Sequence, residues 1–203
     1  MKNRFLAILL LTVFLAGSAA GYAASFQMLV TRLVQEKDAL KTENDHLQFQ
    51  LSALQQQITT RIVGIYFSPQ GGCEDQVFNW ISRANMSVHI LIYSFTLDSL
   101  GDALVAAHAR GVEVKVVFEK GEIIASSQYS RLKAAGISVR NDTNSRDMHD
   151  KVLIVDGIIV LTGSFNWSTK AEEYNNENLI VINSTYVAGV YEQEFQKIWN
   201  TGV

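Results

Sequence analysis

The stretch His149–Ser164, "HDKVLIVDGIIVLTGS", restricts the possible folds more than any other part of the chain. Two apolar, β-branched runs flank Asp156-Gly157, a dipeptide that signals a two-residue hairpin. Neither run alternates with polar residues, so both faces of the hairpin must be covered. A sheet with helices on both sides meets that demand. The open end of the hairpin has a different character. It carries His149 and Lys151 on one arm, and Gly163, Ser164 and Asn166 where the other arm returns.

From Arg61 onward, strand-length apolar runs alternate with helical patterns. "RIVGIYFS" reads as a strand, and "CEDQVFNWISRA" as an amphipathic helix with acidic residues in its first turn. "SVHILIYSFT" reads as a strand covered on both faces, "LGDALVAAHARG" as a helix ending at Gly111, and "VEVKVVFE" as another strand. "SSQYSRLKAAG" reads as a helix closed by Gly136, and "ISVRND" as a short strand. After the hairpin come a strand, "ENLIVIN", and a last helix, "STYVAGVYEQEFQKIWN", opened by a Ser/Thr cap. The expected fold class is α/β, a mixed β-sheet sandwiched by helices.

Residues 1–24 form a membrane-targeting segment outside that fold. Lys2 and Arg4 precede an apolar run from Phe5 to Ala16. Two readings fit: a signal peptide cleaved near Ser18-x-Ala20, or an uncleaved anchor of about twenty residues. Both leave the N-terminus in the cytoplasm and export the rest, to the periplasm or to the outer side of a membrane. Residues 25–60 carry a heptad pattern. Leu33, Leu40, Leu47 and Leu54 fall at d, and Val30, Lys37, Asn44, Leu51 and Ile58 at a. An asparagine at a weakens the seam but specifies register and two strands. Glu36 at g can meet Lys41 at e of a partner helix. The expectation is a parallel homodimeric coiled coil, the alternative a single amphipathic helix packed on its own domain. Residues 61–203 then form the catalytic domain.

The net charge is −3, and from Arg61 onward 12 Lys and Arg stand against 16 Asp and Glu, a balance of −4. Any polyanion must therefore be held by a local positive patch. The one cysteine, Cys73, excludes an intrachain disulfide and a cysteine-rich zinc site. It reads as a small buried residue. No metal-ligand cluster stands out.

His149 and Lys151, two apart on a strand, would share one face. An imidazole and an ammonium together suit a site that binds an anion and attacks it. Imidazole titrates near pH ~6.5 and can serve as nucleophile, base or acid. Lysine supplies a point charge for phosphate oxygens. Ser164 and Asn166 offer neutral donors, so a hairpin that brings them to His149 makes a phosphate cradle. Glu177 opens the next strand and could hold the second ring nitrogen of a histidine, as carboxylates do in catalytic triads. Trp167 reads as a packing residue, with stacking on a base as the alternative.

"HDKVLIVDG" fits His-x-Lys-x4-Asp and resembles the HKD motif of the phospholipase D superfamily. Gly163-Ser164-x-Asn166 and Glu177 fall where that family places further site residues. "YFSPQGG", "ILIYSFT" and "ALVAAHARGVEVKVV" also resemble its small single-motif members, which include bacterial periplasmic endonucleases and mitochondrial-surface relatives. The resemblance spans roughly residues 64–200. It implies that His149 attacks phosphorus, that Lys151, Ser164 and Asn166 bind the phosphate, and that Glu177 orients histidine. Asp156 and Gly163 complete the motif, Asp156 in a more structural role. It implies no metal and no other cofactor.

The two-step reaction also needs an acid opposite the nucleophile, and one histidine cannot fill both places at once. No second His-x-Lys occurs among the four histidines. The expectation is a homodimer in which each chain supplies one His149, with the coiled coil raising the effective concentration of the two domains. The expected activity is a phosphodiesterase, foremost an endonuclease on DNA or RNA. The alternatives are hydrolysis of membrane phospholipids, and a membrane-tethered coiled-coil scaffold with a residual site.

Overall fold

The computed structural model describes residues 2–203, except for the side chains at 2–8, 13, 14, 19, 53 and 56–58. The charges of Lys2 and Arg4 and the a-position Ile58 thus lie outside the described side chains. Two compact units divide the chain, 1–55 and 56–203.

The first unit is helical. One uninterrupted helix, α1 (Lys2–Ile58), runs through both the apolar segment and the heptads. Its stretch Leu9–Ser52 is long and apolar enough to cross a membrane by length and composition, a test that a signal sequence also passes. Leu33, Leu40, Leu47 and Leu54 are exposed along this helix.

The second unit is built on a seven-stranded sheet of order β1-β7-β6-β5-β2-β3-β4. In chain order these strands are β1 (Arg61–Ser68), β2 (Ser87–Ile92), β3 (Glu113–Phe118), β4 (Ser138–Asn141), β5 (Lys151–Val155), β6 (Ile159–Gly163) and β7 (Glu177–Asn183). β2, β3 and β4 run parallel, and the other neighbouring pairs are antiparallel. This is the mixed sheet expected. The helices are α2 (Cys73–Arg83), α3 (Asp98–Ala109), α4 (Tyr129–Ala134), α5 (Thr169–Glu173) and α6 (Thr185–Thr201). α4 is shorter than the pattern "SSQYSRLKAAG" suggests. Gln128 there is buried and donates to Asp98 at 2.8 Å, so the residues before Tyr129 serve the loop.

Alternation along the strands separates two apolar layers. Ile90, Val116, Leu153 and Leu161 pack with Val77, Ile81, Leu100 and Leu104 of α2 and α3. Leu91, Val117, Val152, Ile154 and Val160 pack with Ala188 and Phe195 of α6. Central strands covered on both faces explain the nearly continuous apolar runs of β2 and β5. The β5–β6 turn has positive φ at Asp156 (54°) and Gly157 (65°), as a tight hairpin of this twist requires. That turn closes one end of the hairpin and leaves Lys151 and Gly163 together at the other.

Candidate active site

The start of β5, the end of β6 and the start of β7 meet along one end of the sheet. A cleft of about 480 Å³ opens there, lined by His149, Lys151, Gly163, Ser164, Asn166, Glu177 and Asn178. The structure thus brings together His149, Lys151, Ser164, Asn166 and Glu177, and leaves Asp156 outside. One placement differs from expectation. His149 is not on the strand but two residues before it, because regular pairing begins at Lys151 opposite Ile92.

His149 is exposed, whereas Lys151 is only 7% exposed. Lys151 Nζ donates to the main-chain oxygen of His149 at 2.8 Å and lies 3.1 Å from His149 Nδ1. Burial pulls the Lys151 ammonium below the usual lysine range, opposed by Asp150, Glu177 and Glu122. Tyr93, which directly follows β2, packs its ring on His149 with centroids 4.3 Å apart. Lys151 Nζ sits 4.7 Å from the centroid of the same ring. Sequence reasoning passed over Tyr93. Its signal was a polar aromatic ending an otherwise apolar strand.

The cradle on the other arm is tightly built. Gly163 has φ 156°, and a Cβ there would run into the main-chain oxygen of Asn178, so glycine permits the close approach of β6 to β7. Ser164 donates its N–H to Asn178 O at 3.1 Å, and its Oγ accepts from Asn178 N at 3.1 Å and Nδ2 at 3.3 Å. The hydroxyl hydrogen is left to point elsewhere. Asn166 is held between buried Phe165 and Trp167, the latter edge-on to Phe95 and hydrogen-bonded through its carbonyl to the N–H groups of Thr96 and Leu97. Trp167 is therefore a packing residue. Asn166 Oδ1 is buried without a partner, and turning the amide over would present Nδ2 there instead. Asn178 is a further cleft residue that the sequence reading missed.

Glu177 accepts from Asn175 Nδ2 at 2.9 Å. Within this chain Glu177 and His149 share no hydrogen bond, and His149 Nδ1 meets Lys151. On the other side, a second cavity of about 340 Å³ borders His149 and is lined by Asp142, Asp147, Asp150, Glu194 and Lys197 among others. Burial, then Glu194, raise the Asp150 carboxyl, opposed by Lys151, His149 and Lys197. Buried Glu119 accepts from Met148 N at 2.7 Å and steadies the approach to His149.

Asp156 works at the far end of β5. Its carboxylate accepts from the N–H groups of Asn85, Met86 and Ser87, clamping the entry to β2. Among the described residues, no group of three or more His, Cys, Asp or Glu could hold a metal ion. Cys73 is buried.

A mixed sheet between two helical layers carries an imidazole, a buried ammonium and neutral donors at one end, which defines an α/β domain with a polar cleft. Residues 77–199 match the family described as "Cardiolipin synthase, PLD-like domain", so the chain belongs to the phospholipase D-like family. A relative named "Mitochondrial cardiolipin hydrolase" from Xenopus tropicalis is 39% identical over 118 residues, 58% of this chain and 56% of the relative. The chain thus spans about half the length of that relative. A protein named "Phospholipase D" from Rickettsia typhi is 28% identical over 195 residues, 96% of this chain and 93% of its own. The crystal structure of the phospholipase D family member Nuc from Salmonella typhimurium superposes with a TM-score of 0.67 and 36% identity. It covers 71% of this chain and 97% of Nuc.

Proposed function

We propose that the 56–203 unit is a metal-independent phosphodiesterase that acts through a phosphohistidine and cleaves nucleic acid as an endonuclease. The convergence of His149, Lys151, Ser164, Asn166 and Glu177 on one polar cleft carries this reading. Apart from Gly163, every side chain that lines the cleft is polar or charged, which favours a polar substrate.

In the chemistry proposed, the substrate phosphate draws Lys151 Nζ onto its oxygens and frees His149 Nδ1. Ser164 Oγ and the Asn166 amide donate to the remaining phosphate oxygens. His149 Nε2 attacks phosphorus, and the N–P bond forms as the bond to the leaving oxygen breaks. An acid protonates that oxygen. As a base it then takes a proton from the water that breaks the N–P bond and releases the phosphomonoester. His89 cannot serve, because both its ring nitrogens are engaged, by Glu192 at 2.8 Å and Glu113 at 3.0 Å. The acid is the partner subunit's His149 in a two-fold homodimer.

The β1 edge supports such an interface. Phe67 pairs with Asn178 and Ile65 with Ile180, so these side chains lie on the same face of the sheet as the cleft residue Asn178, and both are exposed (60% and 54%). Glu177, engaged by Asn175 in its own protomer, orients the histidine that the dimer brings to it. The exposed heptad leucines of α1 pair as a parallel coiled coil, and its apolar part is a signal or anchor that leaves the catalytic unit on the exported side.

The test is cleavage of single-stranded and plasmid DNA by the purified chain in EDTA, with His149→Ala beside it. Cleavage by wild type alone is expected, and loss of wild-type activity in EDTA would overturn metal independence. With wild-type subunits at fraction f among His149→Ala subunits, activity should follow f² for a shared site and f for an independent one. Hydrolysis of membrane phospholipid is the second reading, favoured by relatives named for cardiolipin hydrolase and phospholipase D. Cleavage of cardiolipin but not DNA would establish it, and cleavage of neither would leave a tethered scaffold.

A further inference from the structure

We infer that Tyr93 is a positioning residue of this site, its ring face holding the Lys151 ammonium charged and bracing the His149 imidazole. The inference rests on the phosphodiesterase reading for its consequence, but not for its geometry.

Tyr93 is anchored through its main chain. Its N–H donates to Asp150 O at 3.0 Å, which continues the β2–β5 pairing one step past Ile92 and Lys151. Burial, then Glu122, Asp147 and Glu119, raise the phenol above its usual range. The ring therefore stays neutral across physiological pH. It touches both chemical groups, the imidazole at 4.3 Å and 58° between planes, and the ammonium at 4.7 Å.

Lys151 needs such a partner. Its direct hydrogen-bond partners are the carbonyl and Nδ1 of its own neighbour His149, neither of them a carboxylate. The carboxylates that favour its charge, Asp150, Glu177 and Glu122, act at longer range. A buried ammonium with no carboxylate in contact tends to lose its proton, and a neutral amine would bind phosphate poorly. The negative face of an aromatic ring offsets that tendency at contact distance. The same face limits the tilt of His149, which is otherwise exposed on a segment outside the strand.

The decisive measurement is the titration of Lys151 Nζ by NMR in the full chain, with no substrate present. Removing the ring while keeping an apolar side chain, Tyr93→Leu, should lower the Lys151 midpoint by about one pH unit. Tyr93→Phe keeps the ring, loses only the hydroxyl and should retain most of the midpoint. In the DNA assay, Tyr93→Leu should lower kcat about tenfold with a smaller change in KM, and its alkaline limb should move acidward. A Lys151 midpoint unchanged in Tyr93→Leu overturns the inference. So does a Tyr93→Phe variant that shifts as far as Tyr93→Leu, since the hydroxyl would then be the essential part. An active His149→Ala enzyme would sink the phosphodiesterase reading alone, because the Lys151 titration does not depend on turnover.

Discussion

Replacing Asp156 with alanine should unfold the domain more readily without touching the chemistry. Oδ1 accepts from Met86 N at 2.7 Å and Ser87 N at 2.9 Å, and Oδ2 from Asn85 N at 3.1 Å. Hydrogen bonds to an ionised group contribute about 1.5–3 kcal/mol each, but water can replace the two at the exposed end, so about 2–4 kcal/mol is lost in all. Alanine at the φ of 54° adds about 1 kcal/mol of strain. Asp156→Asn keeps an oxygen for Met86 and Ser87 and should lose about half as much. Burial raises this carboxyl, but the N–H groups of Ser87, Met86 and Asn85 outweigh it and hold it below the usual range. A depressed folded-state pKa confers stability above the unfolded value of ~3.9, and that stability is lost as pH falls through the folded value. The gap between wild type and Asp156→Asn should thus stay constant from about pH 7 to 5 and shrink below about pH 4. Urea unfolding of the full chain in detergent, followed by tryptophan fluorescence, measures it, because Trp80, Trp167 and Trp199 all lie in the 56–203 unit. An unchanged urea midpoint for Asp156→Ala would refute the reasoning. So would a fully folded Asp156→Ala protein without activity, which would place the aspartate in the chemistry.

Gly163→Ala should cost about 2–3 kcal/mol and depress activity in the protein that still folds, because its Cβ displaces Asn178 and with it Ser164; urea midpoints and kcat check both. Ser168→Ala removes the side chain that caps α5 by accepting from Ala171 N at 3.3 Å, and the urea midpoint should report a loss of about 1 kcal/mol. The Cys73 thiol is pushed up to about 12 by burial, then by Glu172 and Glu177. It should ignore a thiol-reactive disulfide reagent at pH 8 in the native protein and react fully in urea.

The central sheet was legible because its signals are strong and local. Apolar runs covered on both faces, an Asp-Gly turn and glycines after helices each admit few alternatives. Short elements were less visible. α5 has five residues, too few for helical periodicity, and only Ser168 marks its start. The boundary drawn at residue 24 follows a change of composition, whereas the helix follows backbone hydrogen bonding and passes through it. The strand order could not be read, since β7 reaches its place between β1 and β6 through long-range pairing that sequence neighbours do not encode.

The site was legible in its residues but not in its contacts. Motif spacing identified His149, Lys151, Ser164, Asn166 and Glu177, since one hairpin and the strand that pairs with it deliver them to a common end. It could not reveal Tyr93, which arrives from β2 through the Ile92–Lys151 pairing between residues 59 positions apart. Nor could it foresee that Glu177 would be engaged by Asn175 while His149 faces Lys151. The motif itself also divides in space. Five strand residues at about 3.3 Å per residue put Asp156 roughly 17 Å from Lys151, beyond reach of a shared phosphate. What the spacing His-x-Lys-x4-Asp encodes is therefore the length of β5. One end presents His149 and Lys151, and the other is clamped to the start of β2. Tyr93 stands at the end of β2 nearest the site, so the clamp and the ring support the same pair of strands from opposite ends.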